Sequence, residues 1–219
     1  MAAITKINDF MSRIGRKGGM SLTTGFDVNI KFKNPSVEGL DFCKNYYSST
    51  DREVVNMLCD EAQLPNVQSA VNTISGRYLG EGSISYPHTR IFTDVGLGFM
   101  CDAELIPLKF FSGWYEYIFG ESRISTTYKP TMEPALGVSP KATQRTNRVT
   151  YIDDYVANVK IIKSEAGPGG ANARVPVVYI LENAYPYAID AVPLAYGSSQ
   201  LTRVNVNLYY TRHTVAYGK

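Results

Sequence analysis

The sequence predicts a mainly β protein, a small β-sandwich or barrel with one main α-helix, and three observations carry that reading. Phe26, Val28, Ile30 and Phe32 alternate with Asp27, Asn29, Lys31 and Lys33, the period of a strand with one buried face. The chain holds 16 Tyr against a single Trp, and tyrosine suits half-buried sheets and interfaces because its ring packs while its hydroxyl stays wet. Long helical periodicity is confined to one segment, residues 105–119. At 219 residues the chain fits one domain, since β-sandwiches and barrels reach this size without splitting. With 44% hydrophobic and 19% charged residues, it can bury a core and does not have the composition of a disordered chain.

Along the chain, Ile4, Ile7, Phe10, Met11 and Ile14 recur at helical spacing before Gly18-Gly19, so residues 1–20 read as an amphipathic arm or a frayed terminus. Residues 26–32 form the first strand, and 34–50 read as a loop on Pro35, Gly39 and the Ser48-Ser49-Thr50 cluster. A second strand is expected over 54–64, closed by Pro65. A polar connection leads to a strand over 78–86, interrupted by Gly80 and Gly82 and limited by Pro87. Val95, Leu97 and Phe99 alternate with Gly96 and Gly98, a strand whose glycines allow something to approach its backbone closely.

The segment 105–119 places Phe110, Phe111, Trp114, Tyr115 and Ile118 on neighbouring helical faces. Pro107 suits the first turn and Gly120 the stop, so this helix should lie over a sheet. Residues 121–147 are polar, contain Pro130, Pro134 and Pro140, and read as an insertion loop. A strand is expected over 149–162 and a return strand over 175–181, with a turn at Gly167-Pro168-Gly169-Gly170. Asn183-Ala184-Tyr185-Pro186 ends that return strand, and one long final strand, expected to be central, runs from 201 to about 215. The total is about seven strands.

A net charge of +2 is too balanced for a basic nucleic-acid footprint. Cys43, Cys59 and Cys101 lack CxxC spacing and read as reduced, packed thiols, neither a disulfide framework nor a zinc site. The N-terminus lacks the apolar core of a signal peptide, and no stretch reaches the ~20 apolar residues of a membrane span. Assembly in a cytosol, without a membrane anchor, is the expectation.

Catalytic chemistry finds no footing. His88 and His213 lie outside any nucleophile motif and read as exposed or satisfied histidines. Cys59-Asp60-Glu61-Ala62 and Cys101-Asp102-Ala103-Glu104 make poor metal sites and read as strand ends turning into solvent. Asp153 and Asp154, taken as adjacent strand residues, face opposite sides. Gly76, Gly80 and Gly82 lack a Walker lysine, and Arg13, Arg16 and Lys17 read as a solvated helix end. The sequence therefore predicts no catalytic residue, no cofactor and no metal.

The order of these elements resembles the tail-tube proteins of contractile-tailed bacteriophages. The resemblance rests on Met57-Leu58-Cys59-Asp60-Glu61-Ala62-Gln63-Leu64-Pro65 and on Phe92-Thr93-Asp94-Val95-Gly96-Leu97-Gly98-Phe99-Met100, which leads into the aromatic helix with Trp114. It rests also on Ala184-Tyr185-Pro186 before the closing segment 197–210. The family implies a β-sandwich whose strands join those of neighbouring subunits into a ring-shaped inner β-barrel, built as hexameric rings that stack into a tube through which phage DNA is ejected. The partners it implies are further copies of the chain, tail sheath and baseplate proteins, and transient, non-specific double-stranded DNA in the lumen. The implied location is the virion tail, after assembly in the host cytoplasm. Asp154, Asn158, Lys160, Asn205 and Asn207 are candidates to line the lumen, or else to face outside or a subunit contact. Ile4, Ile7, Phe10, Met11 and Ile14, with the 121–147 loop, are candidates for contacts between rings. Two other readings remain: a tube-like baseplate or hub protein that initiates polymerisation, and a host- or glycan-binding β-module.

Overall fold

The alternation at the start of the chain is borne out by β1, Phe26–Phe32, where Val28 and Ile30 are fully buried and Asp27, Asn29 and Lys31 face out. In the computed structural model, residues 7–39, 43, 51–76, 82–119, 149–165, 174–194, 196 and 201–218 are described. Before β1 lies a helix, α1, Ile7–Arg16. After it come a 3-10 turn, Pro35–Gly39, that buries Val37 and a second helix, α2, Asp51–Met57.

Helix α2 corrects the expected 54–64 strand, which shrinks to β2, Cys59–Ala62. The pair Val54-Val55 suggested a strand, but Val55 is instead buried from a helical turn, and Leu58 N–H donates to the Val54 carbonyl. Local β propensity yields to what one turn can bury. The polar connection that follows is itself a strand. β3, Gln68–Ser75, pairs antiparallel with β4, Ser83–Ile91, so the expected 78–86 strand begins later and runs through Pro87. A bulge opposite Ala70 and Val71 absorbs that proline. β3 escaped the pattern because this hairpin buries neither face.

β5, Val95–Met100, and α3, Ile106–Ile118, fall where the sequence put them. Leu105 precedes α3 in left-handed conformation (φ 56°), and the Asp102 carboxylate accepts the Ile106 N–H at 2.8 Å, supplying the first-turn partner that Leu105 lacks. The expected 149–162 strand opens instead with one helical turn, α4, Ile152–Tyr155. Asp153 and Asp154 thus lie in its first turn, where the helix dipole favours them, and not on a strand. β6, Ala157–Glu165, follows.

β7 is longer than expected, Arg174–Ile189. Asn183 does not end it. Asn183 takes a left-handed φ of 55°, tolerated by its short polar side chain, and its N–H reaches Asn158 Oδ1 at 3.4 Å. Pro186 fits where the register with the next strand shifts. The expected final strand is in fact two, β8, Arg203–Tyr209, and β9, Arg212–Tyr217, split at Tyr210-Thr211. β8 is central, as the sequence suggested, while β9 is not.

Among the described residues, seven of nine strands share one sheet, ordered β1-β6-β7-β8-β5-β2, with β9 also on β7. The N-terminal half of β7 pairs with β6 and β9, and its C-terminal end pairs with β8. Asn183 marks the change of partner. α3 packs on the inner face from the β1 edge to β5, next to the other edge: Trp114 meets Phe32 of β1 at 4.8 Å between ring centroids, and Phe111 meets Phe99 of β5 at 4.8 Å. One aromatic helix therefore holds the sheet in a curl, and among the described residues the strands do not close into a barrel.

Candidate assembly and channel surfaces

The C-terminal end of β7, with β8, β5 and β2, makes a four-stranded unit. Its inner face is apolar, with Val95, Leu97, Phe99, Val204, Val206 and Leu208 all buried. Its outer face is polar: Asn205 and Asn207 alternate with the buried valines of β8, and a register shift in β2 between Cys59 and Glu61 brings both Asp60 and Glu61 to the Arg203 side. Asn205 and Asn207 of β8 sit opposite Gly98 and Gly96 of β5, and with Glu61, Gln63 and Asp190 they line a shallow cavity of about 130 Å³. The sequence reading that something approaches these glycines closely holds. A Cβ at Gly98 would come within 2.6 Å of the Arg203 guanidinium, and one at Gly96 within 3.3 Å of Asn207 Oδ1.

Arg203 lies across this floor and joins two carboxylates of β2, with Nε 3.2 Å from Asp60 Oδ2 and Nη2 on Glu61. These pairs are at the surface, so their net stabilisation is small, of order 0–1 kcal/mol. Their larger effect is to fix side-chain positions over strand backbone. Cys59-Asp60-Glu61-Ala62 is thus a strand, not a strand end in solvent. Burial, with Asp60 beside it, pushes the Cys59 thiol up to about 12, the condition of an unreactive thiol. Cys101-Asp102-Ala103-Glu104 is the expected turn. No group of three or more metal-ligating side chains occurs among the described residues.

The five lumen candidates separate. Asn205 and Asn207 share the polar face just described, whereas Lys160 lies on β6 opposite Asn29 and Ile180, on the other half of the sheet. Asn158 is half-buried and holds the Asn183 amide, and Asp154, on α4, accepts from Asn34 Nδ2 at 3.2 Å. Among the described residues, neither β2 nor residues 185–189 of β7 has a strand on its outer edge.

Two apolar surfaces stand open. On α1, Ile7, Phe10 and Met11 are exposed, Ile7 by 75%, and Ile14 is half-buried; Ile4 lies outside the described residues, as does 121–147. On the β3–β4 hairpin, register puts Ile74 opposite Ile84 and Asn72 opposite Tyr86 on one face, with Thr73, Ser75, Ser83 and Ser85 on the other. Both faces are exposed. The sequence reading missed this surface, and the trace it left was a serine, threonine and isoleucine alternation in residues 73–75 and 83–85.

The hairpin root is held by aromatic contacts. Phe92, just past β4, meets Tyr210 and His213 edge-on at 6.0 and 5.2 Å, and the Arg90 guanidinium lies 5.1 Å from the centre of the Phe92 ring. His213 corrects the reading of exposed or satisfied histidines. It is 4% exposed, its Nδ1 lies 3.3 Å from the Tyr210 hydroxyl, and its Nε2 has no hydrogen-bond partner among the described residues. Burial first, then Arg90, holds its pKa below the ordinary value. His88 is exposed, with Nδ1 3.1 Å from the Ala70 carbonyl oxygen.

A profile of the phage tail tube protein family matches residues 21–216. No curated protein matches significantly. Among solved structures, the chain is similar to a component of the baseplate of the anti-feeding prophage, described as 6-fold symmetrised, at 12% identity and TM-score 0.52, covering 91% of this chain and 97% of that one. It is also similar to a chain of a sheath-tube complex from an extracellular contractile injection system, at 10% identity and TM-score 0.48, covering 94% and 97%. The first of these speaks to the fold alone. The family profile spans every strand from β1 to all but the last residue of β9, and its match carries the assignment: the chain belongs to the phage tail tube protein family and is a structural component of a tail.

Proposed function

We propose that this chain is the repeating subunit of a tail tube, in which hexameric rings stack around a channel that conducts phage DNA. The observation that carries the reading is the four-stranded unit with free edges at β2 and at residues 185–189 of β7. Joined edge to edge around a ring, such units form a barrel in which the strand ends left open in one chain become paired. The polar face of that unit then lines the lumen through Asn205 and Asn207. Three carboxylates (Asp60, Glu61, Asp190) against one guanidinium (Arg203) make that face mildly acidic, and a wall without excess cation lets a duplex slide instead of holding it by counterion release.

In this reading Lys160 and Asn158 belong to the outward face of the other half of the sheet. The arm residues Ile7, Phe10, Met11 and Ile14, with Ile4, contact the next ring, as does the 121–147 segment. A sheath outside and a baseplate below are the expected partners, with assembly in the host cytoplasm and one domain spanning 1–219. Electron microscopy of the purified chain tests the proposal. Rings or tubes support it, and a persistent monomer at high concentration overturns it.

A second reading takes the role from the assembly in which one structural neighbour sits, a baseplate: a ring that starts the tube. Copy number in virions separates them: a many-fold excess over other tail proteins for the tube, about one ring per particle for the initiator.

A further inference from the structure

The open apolar faces of α1 and of the hairpin leave the sheet from opposite ends. β6, β7 and β9 run side by side, with Val159 beside Leu181 and Leu181 beside His213 at one end, and Lys163 beside Val177 and Val177 beside Tyr217 at the other. The hairpin is rooted at the first end, through Phe92 on His213 and Tyr210. The arm is rooted at the second, where Phe26 sits opposite Lys163, Leu22 N–H and the Ser21 hydroxyl donate to the Glu165 carboxylate, and Lys163 Nζ donates to the Gly25 carbonyl. From Val159 to Lys163 is four residues of strand, about 13 Å.

Among the described residues, nothing covers either face. Ile7, Phe10 and Met11 form a one-sided stripe on α1, and Ile74, Ile84 and Tyr86 form the apolar side of the hairpin. A two-stranded hairpin is marginal in water on its own, and the residues that form this apolar side, Ile74, Ile84 and Tyr86, are uncharged and at least a third exposed. Two unlike apolar faces at opposite ends of one chain are the condition for heterologous, head-to-tail association, which propagates instead of closing as a dimer.

Resting on the stacked-ring reading, we infer that the Ile74, Ile84 and Tyr86 face of the hairpin docks on the Ile7, Phe10 and Met11 face of α1 in a second copy of this chain, in the adjacent ring. Area sets the condition for this contact. Six side chains at roughly 100 Å² apiece bury on the order of 600 Å², about half of what a stable pairwise interface needs. One such contact does not hold two free subunits together; a ring that presents it several times over does.

The test uses the full chain. Ile84→Asp should leave rings intact and shorten tubes at least tenfold by electron microscopy, and adding Phe10→Lys should restore their length. In a mixture of two tagged chains, one Met11→Cys and the other Ile84→Cys, a short bis-maleimide should link the two chains in tubes above the wild-type background. Tubes of Ile84→Asp as long as wild type, or tubes in which the mixed chains do not link, overturn the pairing while the tube reading stands. If the wild-type chain forms neither rings nor tubes, the tube reading fails and the pairing fails with it.

Discussion

Trp114→Phe tests how the single aromatic helix holds the sheet. Trp114 is fully buried, its indole N–H donates to the Tyr155 carbonyl at 2.8 Å, and its ring touches Phe32, Phe110 and Phe111. Phenylalanine keeps an aromatic contact with Phe32 but removes the donor, which costs about 1–3 kcal/mol for the buried carbonyl left behind. The smaller ring adds roughly 1 kcal/mol of lost packing. The sum is about 2–4 kcal/mol, or a Tm lower by roughly 4–9 °C for a chain of this length. Urea unfolding of the unassembled subunit, followed by far-UV circular dichroism because Trp114 is the only tryptophan, gives the number. Tyr115→Phe, on the exposed side of the same helix, should change stability by less than ~0.5 kcal/mol. If Trp114→Phe costs no more than Tyr115→Phe, the helix is not what fixes the curl of the sheet.

Other outcomes follow from single residues. His213 has a folded pKa below its unfolded value near 6.5, so the unfolded chain binds its proton more readily. Its stabilisation is therefore complete above about pH 6.5 and lost as pH falls below that value, and a His213→Gln variant should show a flatter fall in unfolding free energy between about pH 6.5 and 5. Asn183→Val should destabilise by about 1–2 kcal/mol, because a β-branched residue resists the left-handed φ, whereas Asn183→Gly should stay within ~1 kcal/mol of wild type in the same urea titration. Cys59, with its thiol pushed up to about 12, should resist iodoacetamide at pH 8 in the native protein and label only on unfolding, as read by peptide mass spectrometry. Labelling within about tenfold of a free peptide thiol would contradict that burial.

Where a strand or helix buries one face, its residues announced it. β1 and β5 alternate because their inner residues meet the core, and 105–119 reads as a helix because Phe110, Phe111 and Trp114 must share one side. Where nothing is buried, the pattern gave no warning. Gln68–Ser75 is a strand only because Ser83–Ile91 pairs with it, and backbone hydrogen bonds leave no mark on side-chain choice. Val54-Val55 misled in the opposite sense, since β-branched residues accept a helical turn when burial favours it.

By itself, the sequence determined the mainly β class, the aromatic helix and the ordered segments that resemble tail-tube proteins. Tertiary structure decided what a linear pattern cannot carry. Asn183, which looked like a strand end, changes the partner of β7, and the pairing of β8 with β5 gathers Asn205, Asn207 and Arg203 over Gly96 and Gly98. Both depend on which strand lies alongside. Alternation records which way a side chain points, and only long-range pairing determines what it meets.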